Sequence, residues 1–367
     1  MTAEIESLDV AAYEVPTATK TESDGTLEWD ATTLILVRVS SGGVSGIGFG
    51  YSHHAAARLI DDHLRSSIEG ADAMATSALW RDMAVAIRNL GFTGLAMMAV
   101  SAVDVAVWDL KARLLEVSLA ELIGPLRDEV PVYGSGGFCN YSEAELREQM
   151  SGWVEQGMTA VKMKVARNPG EDLGRIHIVR DEIGDEIDLL VDANGAFHDA
   201  KRATEWGLRY AEAGAVWLEE PVSSDDLEGL AFVRDHVPAG MDVTAGEYGF
   251  NPNYFHHMLN AGAVDVIQPD VTRCGGITAL LEIGGLCAAR NVPLSGHTAP
   301  SIHAHVLPGL RMTRHLEYFF DHTRIEQMLF DGTLEPDQGV LRPDPERPGL
   351  GLDFKEQDAE KYLVFKS

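Results

Sequence analysis

Cysteine is nearly absent from this chain and lysine is scarce. Only Cys139, Cys274 and Cys287 occur. They show no paired metal-ligand spacing and no disulfide framework, a usage that fits a reducing cytoplasm. No apolar run approaches the length of a membrane span. The opening residues, Met1-Thr-Ala-Glu-Ile-Glu, hold neither a basic segment nor a long apolar one, so no secretory signal is expected. Basic charge is also short: 29 Lys and Arg stand against 57 Asp and Glu, a formal net charge of -28. Such a surface repels nucleic acid and anionic membranes and argues against both as partners. An anionic substrate would then need local cations, from lysines or from a metal. No strand is followed by a glycine-rich dinucleotide turn, since Gly46-Ile-Gly-Phe-Gly does not open a helix in a βαβ unit.

What is present changes texture along the chain. Residues 5–15 and 33–39 alternate in the β manner, with Ser41-Gly-Gly-Val-Ser-Gly as the turn after the second. From about Ala55 to Leu122 the chain reads helical. Ala99, Val103, Val107, Leu110 and Leu114 recur at helical spacing, and the segment ends before Gly124-Pro125. A short sheet followed by helices is an α+β unit, placed at residues 1–125. After Pro131, strand-like runs alternate with helical stretches at 130–135, 160–165, 188–194, 215–221, 242–247, 264–270, 292–297 and 315–319. Helices are expected between them at 199–213, 224–236 and 277–290. Eight βα-like units in series predict a closed parallel barrel over residues 126–320. The loop-rich remainder, 321–367, is expected to pack back on the first unit.

In such a barrel the functional groups lie at the C-terminal strand ends. The second run carries Lys162 and Lys164, which share one strand face. The third ends in Asp192 and Asn194, the fourth in Glu219 with Glu220, and the fifth in Glu247. The sixth ends in Asp270, the seventh in His297, and the eighth holds Glu317. Asp192, Glu219 and Glu247, on adjacent strands, are like charges that require a cation among them. An all-oxygen set suits Mg²⁺, with Mn²⁺ as an alternative, and no histidine or cysteine joins to favour zinc. His297 beside Asp270 makes an acid–imidazole pair. To act as a base Lys164 needs a depressed pKa, about 7–8, and both Lys162 and the charge of the expected metal push it that way. His53, Tyr51 and Trp29 are candidates for loops over the mouth. The His256-His257 and His303/His305 pairs read as structural or surface groups. Together these groups suit removal of a proton next to a carboxylate, with the resulting enediolate charge stabilised by a cation and a lysine.

The ordered set Lys162-Met-Lys164, Asp192-Ala-Asn194, Trp217-Leu-Glu219-Glu220-Pro221, Gly246-Glu247, Asp270, Ser295-Gly-His297 and Glu317 resembles the mandelate racemase subgroup of the enolase superfamily. The resemblance covers nearly the whole chain. It implies a modified (β/α)7β TIM barrel with an N-terminal α+β capping domain completed by the C-terminal tail. It also implies Mg²⁺ on Asp192, Glu219 and Glu247, with Lys164 and the His297–Asp270 dyad as opposed acid/base groups. Lys162, Asn194 and Glu317 would contact a small hydroxy carboxylate. A Lys or His base beside Mg²⁺ is an established pairing in that superfamily and is taken from it. The expected reaction is dehydration of a sugar acid to a 2-keto-3-deoxy acid, with racemisation or epimerisation of an α-hydroxy acid as the alternative. A metal-dependent hydrolase would normally place histidines among its ligands, commonly a His-x-His on an early strand, and none is there. A silent barrel used for binding would have lost a site residue, and none is lost. A homo-oligomer in the cytoplasm completes the expectation.

Overall fold

A computed structural model describes residues 3–367. Three long antiparallel strands, β1 (Ser7–Pro16), β2 (Ala31–Ser41) and β3 (Val44–Tyr51), form most of a four-stranded sheet. Gly42 and Gly43 both have positive φ, which is what a two-residue hairpin turn between right-twisting strands demands. Helix α1 (Leu95–Leu114) lies across β3. Gly46 and Gly48 have no Cβ, and any side chain there would strike the α1 backbone at Leu110 and Ala102. The glycine run that lacked a nucleotide-binding context is therefore a packing surface.

The helical stretch expected from 55 to 122 is broken. Segments end near Ile68, Ala86 and Leu114, with Gly70, Gly91 and Gly94 at positive φ between them. A separate helix at Leu119–Ile123 starts on a Ser118/Glu121 capping box. Helix α1 is apolar on nearly every side because it is sandwiched between the sheet and a barrel helix, α2 (Gly276–Arg290). Asp104 of α1 is buried and accepts from the Thr278 N–H (2.9 Å) and hydroxyl (2.7 Å), so a carboxylate of the first unit caps a helix of the second.

Eight parallel strands follow: β4 (Val130–Gly136), β5 (Ala160–Lys164), β6 (Asp188–Asp192), β7 (Ala215–Glu219), β8 (Asp242–Ala245), β9 (Val266–Ile267), β10 (Leu294–Gly296) and β11 (Thr313–Phe319). β11 pairs with β4, Leu316 opposite Val132, and closes the barrel. The chain then leaves through helix α3 (Phe320–Leu329). Its tail adds Val340–Leu341 antiparallel to β4 and ends in β12 (Leu363–Lys366), which pairs with β1. The architecture is the (β/α)7β barrel with an α+β cap completed by the tail. Among the described residues no helix is long and apolar enough to cross a membrane.

Candidate active site

Register builds the floor of the site. Lys164 lies opposite Asp192, and Asp192 opposite Glu219, so three adjacent strands deliver their last charged residues in one row. Glu317 lies within β11, whereas Asn194, Glu247, Asp270 and His297 sit just past strands that are shorter than the sequence runs suggest. The backbone turns away at Asn194 (φ 47°), Glu220 (φ 39°), Gly246 (φ 143°) and Thr298 (φ 50°). Left-handed backbone at non-glycine residues is costly, and its concentration at the barrel mouth is where functional strain collects.

Asp192, Glu219 and Glu247 are buried, and each offers an oxygen within 4.8 Å of the others. Lys162, fully buried, reaches Glu219 (2.6 Å), Glu317 (2.8 Å) and Asp192 (3.5 Å). Lys164 contacts Asp192 at 2.5 Å. Glu219 is also fixed by the Trp217 indole N–H (3.1 Å) and the Gln268 amide (2.9 Å). One Glu247 oxygen, Oε2, accepts no hydrogen bond of good geometry and lies 3.2 Å from His297 Nε2. A buried all-carboxylate set of this kind fits a hard divalent cation. Glu220, adjacent in sequence, turns away and binds the Ser224 hydroxyl instead.

His297 is held by Asp270, which accepts from its Nδ1 at 2.9 Å; the other Asp270 oxygen accepts the Thr272 N–H and hydroxyl, both 2.7 Å. Its Nε2 lies 3.2 Å from Glu247 and 3.6 Å from Glu317. Burial pulls the imidazole pKa down, but Glu247, Glu317 and Asp270 outweigh it and raise it to about 10. His303, buried, binds the Thr298 carbonyl (2.8 Å) and the Val271 N–H (3.2 Å), so it braces the two segments that carry the dyad.

Among the protein groups alone, the balance at Lys164 runs opposite to the depression expected beside a metal. Burial and Lys162 both favour the neutral amine, yet the touching Asp192 carboxylate, with Glu317 and Glu219, carries the pKa above its ordinary value. The nearest charge dominates, and that charge is negative. Asn194 donates its backbone N–H (2.9 Å) and its side-chain amide (3.3 Å) to Asp192, while its own oxygen is buried without a partner. Glu317 accepts from Ser135 (2.6 Å) and Lys162 through one oxygen, while Oε2 makes no hydrogen bond and lies 3.6 Å from His297 Nε2.

These groups share a cavity of about 300 Å³ to which Lys164, Asn194, Glu247, His297 and Glu317 contribute. Its roof is a short hairpin, Glu22–Ser23 with Glu28–Trp29. The roof is pinned to the barrel by Arg167 on Glu28 (2.6 Å) and by Cys139 N–H on the Ser23 carbonyl (2.6 Å). Trp29 and Tyr51 line the cavity as expected; His53 does not, being an exposed cap of the helix at His54–Leu59. A larger cavity, about 540 Å³, lies beyond Asn194 and Tyr248 but receives neither lysine nor His297. Sequence reasoning missed Arg273, Asp321 and His322, which also line the site. The first stands three residues past Asp270 and the others follow β11, so only their proximity to strand ends could have flagged them.

Residues 10–124 match the profile of the mandelate racemase/muconate lactonizing enzyme N-terminal domain, and residues 145–359 match the enolase C-terminal domain-like profile. The chain is 32% identical over 364 residues to 3,6-anhydro-α-L-galactonate cycloisomerase of Streptomyces coelicolor, covering 96% of this chain and 98% of that one. It is 32% identical to the L-talarate/galactarate dehydratase of Salmonella typhimurium over 88% of this chain and 81% of that one. The structure of the latter liganded with Mg and L-lyxarohydroxamate superposes with a TM-score of 0.90, over 100% of this chain and 94% of that one at 28% identity. A mandelate racemase/muconate lactonizing enzyme-like protein from Rubrobacter xylanophilus superposes with a TM-score of 0.96 at 49% identity, over 98% and 100% of the two chains. The chain belongs to the mandelate racemase/muconate lactonizing enzyme family of the enolase superfamily.

Proposed function

We propose that this protein is a Mg²⁺-dependent sugar-acid dehydratase, converting a hydroxy carboxylate to a 2-keto-3-deoxy acid. The observation that carries the reading is one cavity receiving both Lys164 and the His297–Asp270 dyad above three buried carboxylates. A divalent ion held by Asp192, Glu219 and Glu247 would engage the Asp192 charge that now holds Lys164 protonated and would offset charge developing on the substrate carboxylate. Lys162, with Glu317, positions that carboxylate. Lys164, once neutral, removes the α-proton, and the C–H electron pair moves into the carboxylate to give an enediolate. His297, whose protonated form Glu247, Glu317 and Asp270 favour, supplies a proton to the departing β-hydroxyl, which leaves as water. The enol then tautomerises to the 2-keto acid. Asp270 holds the ring in the orientation this transfer needs. The dehydratase relative and the hydroxyl-bearing cavity walls, Thr32, Thr33 and Ser52, support dehydration.

The test is incubation with Mg²⁺ and a panel of α-hydroxy sugar acids in D₂O, following keto-acid formation and α-deuterium exchange. Keto acid is expected without exchange into recovered substrate. Exchange with inversion and no keto acid would convert the assignment to a racemase. Lys164→Ala and His297→Asn are each expected to cost about 10³-fold or more in kcat. Full activity in both variants would sink the site assignment.

A further inference from the structure

The two ends of the cavity differ in charge. At the barrel end the cations Lys162, Lys164 and Arg273 stand among the carboxylates. Arg273 is committed there: its guanidinium lies 3.3 Å from Glu247 and 3.4 Å from Asp270, and 5.1 Å over the Tyr248 ring. The far end is built by the roof hairpin, by β2 and by the first turn of α3. Its charged wall residues are acidic, Asp24 from the hairpin and Asp321 from α3. A third carboxyl, Glu22, is buried behind Trp29, whose indole N–H it accepts at 3.1 Å.

The cations nearest this end are already spent on the scaffold. Arg324 binds Asp321 (2.6 Å) and the Pro16 carbonyl (2.7 Å), and Arg167 binds Glu28 (2.6 Å). Neither lines the cavity. His322 does, stacked on Tyr51 at 3.5 Å, but burial lowers its pKa to about 3 and it brings no charge. The remaining polar wall is hydroxyl: Thr32, which donates to Asp321 (2.5 Å), with Thr33 and Ser52.

We infer that the substrate is a hydroxylated monocarboxylate whose far end is uncharged, of the aldonate type, and that diacids of the aldarate type are excluded. This rests on the proposed chemistry, since it takes the end at Lys162 and Lys164 as the carboxylate end. A second carboxylate would enter a partly desolvated space beside the Asp24 carboxylate and the Asp321–Arg324 ion pair, with no unpaired cation among the described wall residues to meet it. A terminal hydroxyl or methyl meets hydroxyls, a neutral imidazole and aromatic rings.

The experiment uses the full chain with Mg²⁺ and pairs of acids matched in configuration, one ending in CH₂OH or CH₃ and the other in a carboxylate. For each, kcat/KM for keto-acid formation and Kd by titration calorimetry are measured. A preference of about 100-fold for the monoacid is expected, the discrimination that one like charge at close range gives in a cleft. Asp24→Asn keeps the oxygen that accepts the Thr26 and Leu27 N–H groups, 2.7 Å each. This variant should narrow the preference by about 10-fold. Equal or better binding of the diacids overturns the inference, and so does failure of every monoacid to bind. If ligands bind but none forms keto acid or exchanges its α-proton, the dehydratase reading fails. The paired Kd values still decide the charge preference in that case.

Discussion

Lys162 lies within ion-pair distance of Glu219, Glu317 and Asp192 at once, and no part of it reaches solvent. Lys162→Met keeps the length and most of the volume of the side chain but leaves three carboxylates facing one another with only Lys164 nearby. Removing one partner from a buried ion pair typically costs about 3–5 kcal/mol, because the surviving charge loses its compensation. For a chain of 367 residues the unfolding entropy is large, so that loss lowers Tm by only roughly 4–6 °C. The discriminating measurement is a thermal melt across a Mg²⁺ titration. A cation that binds only the folded state raises Tm by mass action, and the variant's carboxylates should hold it more tightly. The Mg²⁺-induced rise in Tm is therefore expected to be larger in Lys162→Met than in wild type, while activity falls because Glu219 and Glu317 lose the ammonium that fixes them. A variant that melts within 1 °C of wild type (about 1 kcal/mol by the same scaling) and responds identically to Mg²⁺ would refute the claim that Lys162 balances this acid cluster.

Other expectations follow from single features. A Cβ on Gly25 would stand 2.5 Å from the Ala193 carbonyl and 2.9 Å from that of Val165, so Gly25→Ala should lift the roof hairpin. KM is expected to rise about 10-fold in steady-state assays with Tm nearly unchanged, since the hairpin is a peripheral two-rung element. Burial raises the Asp104 carboxyl to about 7 against the stabilising Thr278 hydrogen bonds. A raised carboxyl contributes stability that is complete below its unfolded value near 4 and is lost as pH rises through 7. Denaturant melts of Asp104→Asn and wild type should therefore diverge in the variant's favour by roughly 2–3 kcal/mol between pH 5 and pH 8. A constant difference across that range would show that the ionised form is not held against a penalty.

The chemistry of the floor was legible because barrel polarity is a strong constraint. A strand that runs apolar and finishes in Asp192, Glu219 or Lys164 has one end facing the mouth, and period-2 geometry does the rest. Glu247, Asp270 and His297 were found by the same rule although they lie past the hydrogen-bonded strands, where Gly246 and Thr298 bend the backbone. The roof was less legible. Whether Trp29 or His53 points inward depends on how the loops dock, which no local periodicity encodes. The ion pair of Lys164 with Asp192 was missed for a related reason. The sequence places Lys162 two residues away, but only the register of β5 against β6 puts Asp192 in direct contact. Arg273, Asp321 and His322 fall where strand periodicity has stopped, and they became visible only as walls of a shared cavity.

The pairing of β12 with β1, Lys366 opposite Ala11, sets an order of assembly. Contacts so distant along the chain pay the largest loop-closure entropy and form late, whereas the barrel grows by neighbour-to-neighbour βα steps. The sheet that carries the roof is complete only when the end of the chain docks, whereas Lys164, Asp192 and Glu219 are brought together by strands that neighbour one another in sequence. Cap and barrel meet across α1 and α2, so a change in the cap can reshape the roof without altering the register that builds the floor.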